Sequence, residues 1–104
     1  LQNYANAEFS VVSYRGSEIG RLYVDRRENE IRVIDIALLT EFRRQGIGTH
    51  ILQGIVDEAD ARGVPVTLHV ECNNPAMPMY ERFGFRKEKE VGVYFLMERP
   101  PANR

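Results

Sequence analysis

Two glycines two residues apart, Gly46 and Gly48, form the most suggestive chemical pattern in the sequence. They follow an apolar run at 31–39 and precede a long amphipathic segment, so a strand leads through a glycine loop into a helix. Glycines let the backbone approach a bulky anion, and free N–H groups of the first helical turn point toward it. Arg43 adds a positive charge and Thr49 a hydroxyl. This order is typical of a phosphate pocket.

A Gly-x-Gly pattern is weak evidence by itself. With 8 glycines in 104 residues, chance alone gives about 0.6 occurrences. The loop lacks the third glycine of the dinucleotide fingerprint and the Gly-Lys-Ser/Thr ending of a nucleoside triphosphatase loop. Two alternatives to the phosphate pocket of an enzyme stay open: a tight turn without a ligand, and a binder of nucleotide phosphates.

Three short strands are predicted before the loop. Aromatic and β-branched residues predict strands at 9–14, 19–24 and 31–39, joined by turn-forming or charged links. Short links favour an antiparallel meander. Residues 1–8 lack periodicity and are predicted to be a tail or a remnant.

A long helix is predicted to begin at Thr49. Its apolar residues recur at helical spacing: Ile51, Leu52, Ile55, Val56 and Ala59. Gly63 favours a left-handed helix end, and Pro65 prevents continuation. The apolar run at 66–71 is then a strand parallel to the one at 31–39, because a strand–helix–strand crossover is right-handed.

A second, shorter helix and a final strand pair complete the prediction. Asn74 is a favourable helix cap, but Pro78 moves the regular start toward Met77. Residues 85–97 supply one or two strands, broken near Glu90. The predicted fold class is α/β of the α+β type: one domain with a mixed, mainly antiparallel sheet and one parallel crossover.

Composition excludes several classes of function. A net charge of −1, with acidic residues between the basic ones, gives no basic face for nucleic acid. No apolar run approaches the ~20 residues of a membrane span. Cys72 is the only cysteine, which excludes an internal disulfide and a zinc cluster. We expect no bound metal, no membrane partner and a cytoplasmic location.

Two segments resemble one family. Residues 43–48, Arg-Arg-Gln-Gly-Ile-Gly, resemble the Arg/Gln-x-x-Gly-x-Gly/Ala loop of the GNAT superfamily of N-acetyltransferases. The preceding residues 36–38 look like the strand end that contacts pantetheine in that family. Residues 73–85 are similar to its Asn-x-x-Ala-x-x-x-Tyr-Glu-x-x-Gly-Phe segment. The resemblance covers about residues 9–99, and two motifs at the right separation are more specific than either alone.

The resemblance implies the acyl-CoA N-acyltransferase fold with acetyl-CoA as cosubstrate. The pyrophosphate would lie on the loop, and the pantetheine arm would insert where the parallel strands separate. The implied cofactor-binding residues are Ile36, Ala37, Leu38, Arg43, Arg44, Gln45, Gly46, Ile47, Gly48, Thr49, Asn73 and Asn74. Asn73 fits the family's cofactor contact and Asn74 fits a helix cap, and the sequence leaves this division open.

The resemblance also implies direct attack of a primary amine on the thioester, without an acyl-enzyme. Tyr80 matches the tyrosine that often protonates the departing thiolate. A phenol with a pKa near 10 can donate to a thiolate whose thiol has a pKa near 8.5. The alternative for Tyr80 is a half-buried aromatic residue beside Phe83, and the two roles are compatible.

A base is also useful, because an alkylamine with a pKa of ~10.4 is only about one part in 2,500 neutral at pH 7. The candidates are Asp35, in an otherwise apolar strand, and His69 and Glu71, on one face of the strand parallel to it. Asp35 beside His69 has a structural alternative, since a buried carboxylate is costly unless it is paired. Glu71 has the alternative of a solvated strand end.

The N-terminus departs from the family pattern. Members normally begin with a strand and one or two helices that close the amine-binding side, whereas eight residues precede Phe9 here. We therefore expect a single domain over 1–104, divided into 1–8, 9–49 and 50–99, that is a short form or a truncated one. We expect self-association through an open sheet edge.

The acceptor is expected to be a small-molecule or peptide amine. The alternative function is a catalytically silent CoA-binding or assembly module.

Overall fold

A six-stranded mixed sheet carries both helices of the computed structural model, which describes residues 7–39 and 46–102. The elements are β1 (Ala7–Tyr14), β2 (Ser17–Arg26), β3 (Ile31–Leu38), α1 (Ile47–Arg62), β4 (Val66–Glu71), α2 (Met77–Arg82), β5 (Arg86–Val91) and β6 (Tyr94–Arg99). The spatial order is β1-β2-β3-β4-β6-β5, with only β3 and β4 parallel. The predicted fold class is confirmed. Neither helix of the described ranges has the length and apolarity to cross a membrane.

The first three strands form the predicted antiparallel meander. β1 begins at Ala7, so Ala7 and Glu8 belong to the strand and not to the predicted tail; residues 1–6 lie outside the described part. Arg15 and Gly16 make the β1–β2 turn with φ of 52° and 82°. Positive φ at both central turn residues matches the twist of the flanking strands.

The crossover through α1 is also present. α1 begins at Ile47, two residues before the predicted start, because Gly46 at φ 80° already turns the chain into the helix. Gly63, at φ 71°, ends α1 in the predicted left-handed conformation. Leu52, Ile55, Val56 and Ala59 of α1 are buried. β4 then runs parallel to β3, as the right-handed crossover rule predicts.

The C-terminal elements agree with the prediction except at one turn. α2 begins at Met77, and Pro78 lies in its first turn, where a missing N–H has no cost. The last two strands are separated at Gly92, which has φ 61°. The break predicted near Glu90 lies two residues later, since Glu90 still belongs to β5. The alternation of Lys and Glu there marks an exposed strand, and the glycine makes the turn.

One apolar cluster lies between the sheet and the two helices. Its most buried members, with 0–1% exposure, are Val24, Ile31, Leu52, Ala59, Val66 and Met97. Tyr80 of α2 belongs to the same cluster, so α1 and α2 cover one face of the sheet. Side chains alternate between the faces of a strand. The opposite face, here called the helix-free face, carries Phe9, Val11, Tyr23, Asp35 and His69, and no described helix covers it.

Candidate functional site

β3 and β4 are hydrogen-bonded neighbours over only half of their length. The parallel register pairs Ile31 with Val66, Arg32 with Thr67, and Val33 with Leu68. β3 continues to Leu38 and β4 to Glu71, and within the described part no backbone bond joins residues 34–37 to residues 69–71. The expected separation of the parallel pair is confirmed. An extended ligand can reach strand backbone on both sides of this gap.

A β-bulge in β3 lies at the point of separation. Val33 pairs with Val24 of β2, whereas Asp35 pairs with Tyr23, so Ile34 is an extra residue. A bulge changes the alternation of a strand and re-aims its side chains. As a result Ile36 packs against the core and Asp35 lies on the helix-free face.

The gap forms an open cleft of about 230 Å³. Six of the predicted site residues line it: Asp35, Ile36, His69, Glu71, Asn74 and Tyr80. They come from β3, β4, the turn after β4, and α2. The cleft therefore brings together all four acid–base candidates that the sequence indicated.

Tyr80 enters the cleft from the core side. Only 7% of it is exposed, and its ring packs edge-on against Phe85 with the centroids 5.8 Å apart. Burial raises the pKa of the Tyr80 phenol, and the negative charge of Asp35 raises it further. Tyr80 is therefore protonated at neutral pH and can act as a proton donor. Aromatic packing, the alternative role, is present as well, but the ring partner is Phe85 where the sequence suggested Phe83, and Tyr80 is buried where half-burial was expected.

Asp35 has a different partner from the one expected. Its Oδ2 accepts a hydrogen bond from Arg21 Nε at 2.6 Å, with side chains 40% and 57% exposed, respectively. The predicted buried pair with His69 is wrong. β3 has already separated from β4 at this level, and the diagonal neighbour on β2 is close enough to pair.

His69 and Glu71 lie on the β4 side of the cleft and are exposed. Desolvation lowers the pKa of His69, and the positive charge of Arg32 lowers it further. His69 is therefore neutral at pH 7 and can accept a proton. Among residues 7–39 and 46–102, no three His, Cys, Asp or Glu side chains are grouped to hold a metal ion.

The glycine loop leads into α1 beside the end of β3. Gly46 is the N-cap, no side chain caps the helix, and the His50 N–H donates to the Gly46 carbonyl at 2.9 Å. The N–H groups of the first turn have no partners within a helix. A Cβ at Gly48 would meet only Leu38 Cδ1, at 3.8 Å. This space can take a bound phosphate.

The loop is connected to the cleft through α2. The Thr49 hydroxyl of α1 lies 3.5 Å from Met79 Sδ, one residue before Tyr80. Gly46 and Ile47 border a second hollow, of about 310 Å³, between α1 and the ends of β1 and β2. The predicted residues Ala37, Leu38, Gly48, Thr49 and Asn73 do not line either hollow. Arg43, Arg44 and Gln45 lie outside the described residues.

The two asparagines lie before α2, and the helix cap that the sequence favoured for Asn74 is wrong. Asn74 Oδ1 accepts the Ala76 N–H at 2.7 Å and so orders the turn before α2. The N-cap itself is Ala76, two residues later than an Asn74 cap would give. Asn73 is exposed. Its cofactor contact stays a prediction.

Two residues of the site were missed. Tyr94 lines the cleft opposite Glu71 in the β4–β6 register, and Arg21 holds Asp35. The break was predicted near Glu90 without an exact position, so the start of β6 and the place of Tyr94 could not be assigned. The sequence gives no clear signal for the bulge at Ile34. Without the bulge, the register of β2 and β3 does not predict that Asp35 and Arg21 are diagonal neighbours.

Sequence comparison finds a family and several relatives. Residues 4–85 match the Acetyltransferase (GNAT) family. A mouse cysteine-rich protein 2-binding protein is 36% identical over 87 residues, which are 81% of this chain and 11% of that protein. The [ribosomal protein bS18]-alanine N-acetyltransferase of Salmonella typhimurium is 37% identical over 62 residues, 57% of this chain and 41% of the relative. The N-alpha-acetyltransferase of Saccharolobus solfataricus is 35% identical over 78 residues, which are 65% of this chain and 47% of that protein. The chain thus spans a tenth to a half of the length of these relatives.

Solved structures share the fold. The ribosomal-protein-S18-alanine N-acetyltransferase of Escherichia coli superposes with a TM-score of 0.81 at 22% identity, covering 95% of this chain and 72% of that one. The PaiA N-acetyltransferase of Thermoplasma acidophilum, solved in complex with coenzyme A, superposes with a TM-score of 0.80 at 22% identity. The match covers 91% of this chain and 61% of that one. Because the family match spans most of the sequence, this chain belongs to the GNAT family of acetyltransferases.

Proposed function

We propose that this chain binds acetyl-CoA and transfers its acetyl group to a primary amine by direct attack. One observation carries the proposal: the parallel strands separate beside a helix start that has a glycine cap and no side-chain cap. The Leu38 side chain lies 3.8 Å from the Cβ position of Gly48, so the strand gap and the helix start adjoin. A long ligand with an anionic end and an amide-bearing arm fits both.

The donor would lie along this path. Its pyrophosphate accepts hydrogen bonds from the first-turn N–H groups of α1, at the positive end of the helix dipole. Arg43, Arg44, Gln45 and Thr49 are the proposed additional contacts, with Asn73 near the arm. The pantetheine amides bond to the β3 backbone at 36–38, as an added strand does.

The reaction then needs two proton movements. The amine nitrogen attacks the carbonyl carbon of the thioester, the carbon–sulfur bond breaks, and the thiolate accepts the Tyr80 proton. The raised pKa of Tyr80 keeps that proton available at neutral pH. Because the Tyr80 ring is buried, its hydroxyl is already held in place, and little conformational entropy is lost when it donates its proton.

The amine must also lose a proton. At pH 7, deprotonating an alkylammonium ion costs about 4.6 kcal/mol if no base assists. The lowered pKa of His69 makes it the preferred base, since its imidazole is neutral at that pH. Asp35 and Glu71 lie in the same cleft and would attract the ammonium form of the acceptor. Both carboxylates thus favour a cationic acceptor.

Donor binding is tested with a matched pair of glycine variants. Gly48→Ala adds a methyl group where the phosphate is proposed to lie, and Gly54→Ala adds one in mid-helix with no atom within 4 Å. Both should leave the protein as stable as before or slightly more so, by up to about 1 kcal/mol. We expect calorimetry to give at least a tenfold weaker CoA affinity for Gly48→Ala alone. Equal affinities of the two variants would refute the phosphate site.

Catalysis is tested by the release of CoA thiol in the presence of an amine panel. The panel begins with peptides that have a free N-terminal alanine, because one relative is named as an alanine N-acetyltransferase and another as an N-alpha-acetyltransferase. Lysine side chains and polyamines form the other arms. Turnover with any amine supports the enzyme. Tight CoA binding without turnover for the whole panel supports the silent binding module instead.

A further inference from the structure

α2 carries Tyr80, but its own hydrogen bonds hold it in place only weakly. The helix is six residues long, its N-cap is Ala76, whose side chain cannot accept a hydrogen bond, and Pro78 in its first turn has no N–H to donate. So short a helix is not stable in isolation, because its few internal bonds do not offset the cost of ordering the backbone. The position of Tyr80 therefore depends on contacts between α2 and the rest of the molecule.

The C-terminal end of α2 is held by Arg99 of β6. Phe83 is the C-cap, and its carbonyl accepts a hydrogen bond from Arg99 Nε at 2.7 Å. Carbonyl groups in the last turn of a helix have no partner within the helix, and an arginine can supply one. The Arg99 side chain runs past the turn at Gly84, where a Cβ would lie 3.8 Å from both its Cγ and its Nε. β6 thus provides a donor that α2 lacks.

Asp60, in the last turn of α1, fixes the guanidinium of Arg99. Its two carboxylate oxygens accept hydrogen bonds from Arg99 Nη1 at 2.8 Å and from Nη2 at 3.3 Å. The Arg99 and Asp60 side chains are 15% and 14% exposed, so solvent screens this pair little. A bidentate pair also fixes the orientation of the planar group. One guanidinium therefore joins the end of α1 to the end of α2.

The segment that Arg99 holds is bonded directly to Tyr80. The Tyr80 carbonyl accepts hydrogen bonds from the N–H groups of Phe83 and Phe85, both at 3.1 Å. The Phe85 ring also packs edge-on against the Tyr80 ring. Because the Phe83 carbonyl and both N–H groups belong to residues 83–85, fixing that segment fixes the backbone from which the Tyr80 side chain extends.

We propose that Arg99 is a positioning residue for Tyr80: held by Asp60, it fixes the end of α2 so that the phenol stays at the cleft. The inference rests on the proposed function, in which Tyr80 protonates the departing thiolate. Arg99 does not line the cleft, so it acts through α2 and not by contact with the reacting atoms. A displacement of ~1 Å at a reacting group can lower a rate about 100-fold.

Arg62 provides a matched comparison. It also lies in the last turn of α1, and it also donates to main-chain carbonyls. Those carbonyls belong to Arg27 and Glu28 of the link between β2 and β3, and not to α2. Replacing Arg62 therefore removes a similar contact without releasing the helix that carries Tyr80.

A double-mutant cycle separates positioning from stability. All rates are measured at a temperature at which circular dichroism shows each variant fully folded. We expect Arg99→Gln to lower kcat at least about tenfold, with the KM for acetyl-CoA within about twofold of the wild type. In a Tyr80→Phe background the same change should have no further effect, because the group that it displaces is gone. Arg62→Gln should keep the wild-type kcat.

Two kinetic results would overturn the proposal. One is an unchanged kcat for Arg99→Gln, and the other is the same fold-loss with and without the Tyr80 hydroxyl, which is the result of a purely structural role. If Arg99→Gln does not fold, Arg99→Lys takes its place, since it keeps a positive charge beside Asp60 without the planar fork. We expect a smaller loss of kcat for Arg99→Lys, again only where Tyr80 is present.

The titration of Tyr80 tests its position without any turnover. Carbon NMR of ring-labelled tyrosine follows the phenol, and the spectrum of Tyr80→Phe assigns its signal. Burial raises the pKa of Tyr80, so release of α2 in Arg99→Gln should bring this pKa down toward its ordinary value of about 10. Loss of the Arg99 charge acts in the opposite direction, because removing a nearby cation raises the pKa of a phenol. A fall therefore reports displacement of the ring.

A pKa of Tyr80 that stays the same or rises in Arg99→Gln would overturn the inference. Arg62→Gln should leave it unchanged. A wild-type kcat for Tyr80→Phe would instead reject the proposed role of Tyr80 in the reaction, and the titration alone would then decide whether Arg99 positions this residue.

Discussion

The two halves of the β3–β4 pair show how one pair of strands can serve two purposes. In the paired half, Ile31 and Val66 are fully buried, and residues 31–33 pair with residues 66–68 in the parallel ladder. In the separated half, from Asp35 and His69 onward, the ladder is open, and the side chains of Asp35, His69 and Glu71 are half-buried or exposed. The cleft therefore opens where the pairing of β3 with β4 ends early, and α2 and β6 supply further lining residues.

Polar contacts follow the same division. In the paired half, the buried Thr67 hydroxyl donates to Glu30 Oε1 at 2.7 Å and accepts from Arg32 Nε at 2.7 Å. Burial alone would raise the pKa of Glu30, but the Thr67 hydrogen bond and the Arg32 and Arg27 guanidiniums outweigh it and lower the pKa. In the separated half, Asp35 has one exposed partner, Arg21. The paired half is fixed, and the separated half is left accessible to ligands.

The largest effect should follow truncation in the paired half. Ile31→Ala removes a side chain with 0% exposure at the first rung of the parallel ladder. We expect a loss of about 2–5 kcal/mol in the free energy of unfolding, measured by urea denaturation. Val93→Ala, at a 67% exposed position, should change it by less than about 0.5 kcal/mol. A loss below about 1 kcal/mol for Ile31→Ala would mean that the parallel rung is not part of the stable core.

In the separated half, Tyr80→Phe should affect rate more than stability. The change removes a proton donor while keeping the ring against Phe85. We expect turnover to fall about 100-fold or more, with CoA affinity and the unfolding free energy nearly unchanged. The wild-type rate should decline at high pH as the phenol ionises, above its ordinary pKa because the pKa of Tyr80 is raised. An equal rate for both proteins would remove Tyr80 from the reaction.

Periodicity and turn chemistry were sufficient to predict the elements that belong to the paired half. The spacing of Leu52, Ile55, Val56 and Ala59 gave α1, and Gly63 with Pro65 gave its end. The right-handed crossover then made β3 and β4 parallel. Each of these inferences depends on local sequence or on a general rule of chirality, so a single sequence is enough.

The geometry of the separated half depends on relations that a sequence does not display. The bulge at Ile34 is a relation between two strands, and it decides that Asp35 meets Arg21 and not His69. Tyr94 lies opposite Glu71 through the register of β6 on β4, two strands that are not consecutive in the chain. Six residues that line the cleft could be named in advance, whereas Tyr94 and the pairing of Asp35 with Arg21 could not.

Replacing His69 should lower the reaction rate moderately, and the pH dependence of the rate identifies the contribution of His69. Its pKa is lowered by desolvation and by Arg32, so the imidazole is neutral above about pH 6.5, the ordinary value. The ratio of kcat/KM for wild type to that for His69→Gln, with one amine, cancels the titration of the amine. If His69 is the base, the ratio is constant above that pH and falls toward one as the pH drops through the lowered pKa. A ratio independent of pH would exclude His69 as the base.

The lowered pKa also has a consequence for stability. The unfolded state binds a proton at His69 more readily than the folded state, so stability rises with pH through the interval between the lowered and the ordinary pKa. His69→Gln should flatten this part of the curve of unfolding free energy against pH. This readout is independent of any activity.

The smallest effect should come from the exposed pair of the separated half. Arg21 and Asp35 are 57% and 40% exposed, so solvent screens their attraction. Arg21→Gln should cost less than about 1 kcal/mol of unfolding free energy, and the difference should vanish in ~1 M salt, where the screening length is ~3 Å. The same change at Arg27, which pairs with the 4% exposed side chain of Asp25, should cost more and persist in salt, because it leaves a buried carboxylate without its cation. Equal and equally screened losses would show that burial does not distinguish the Arg27–Asp25 pair from the Arg21–Asp35 pair.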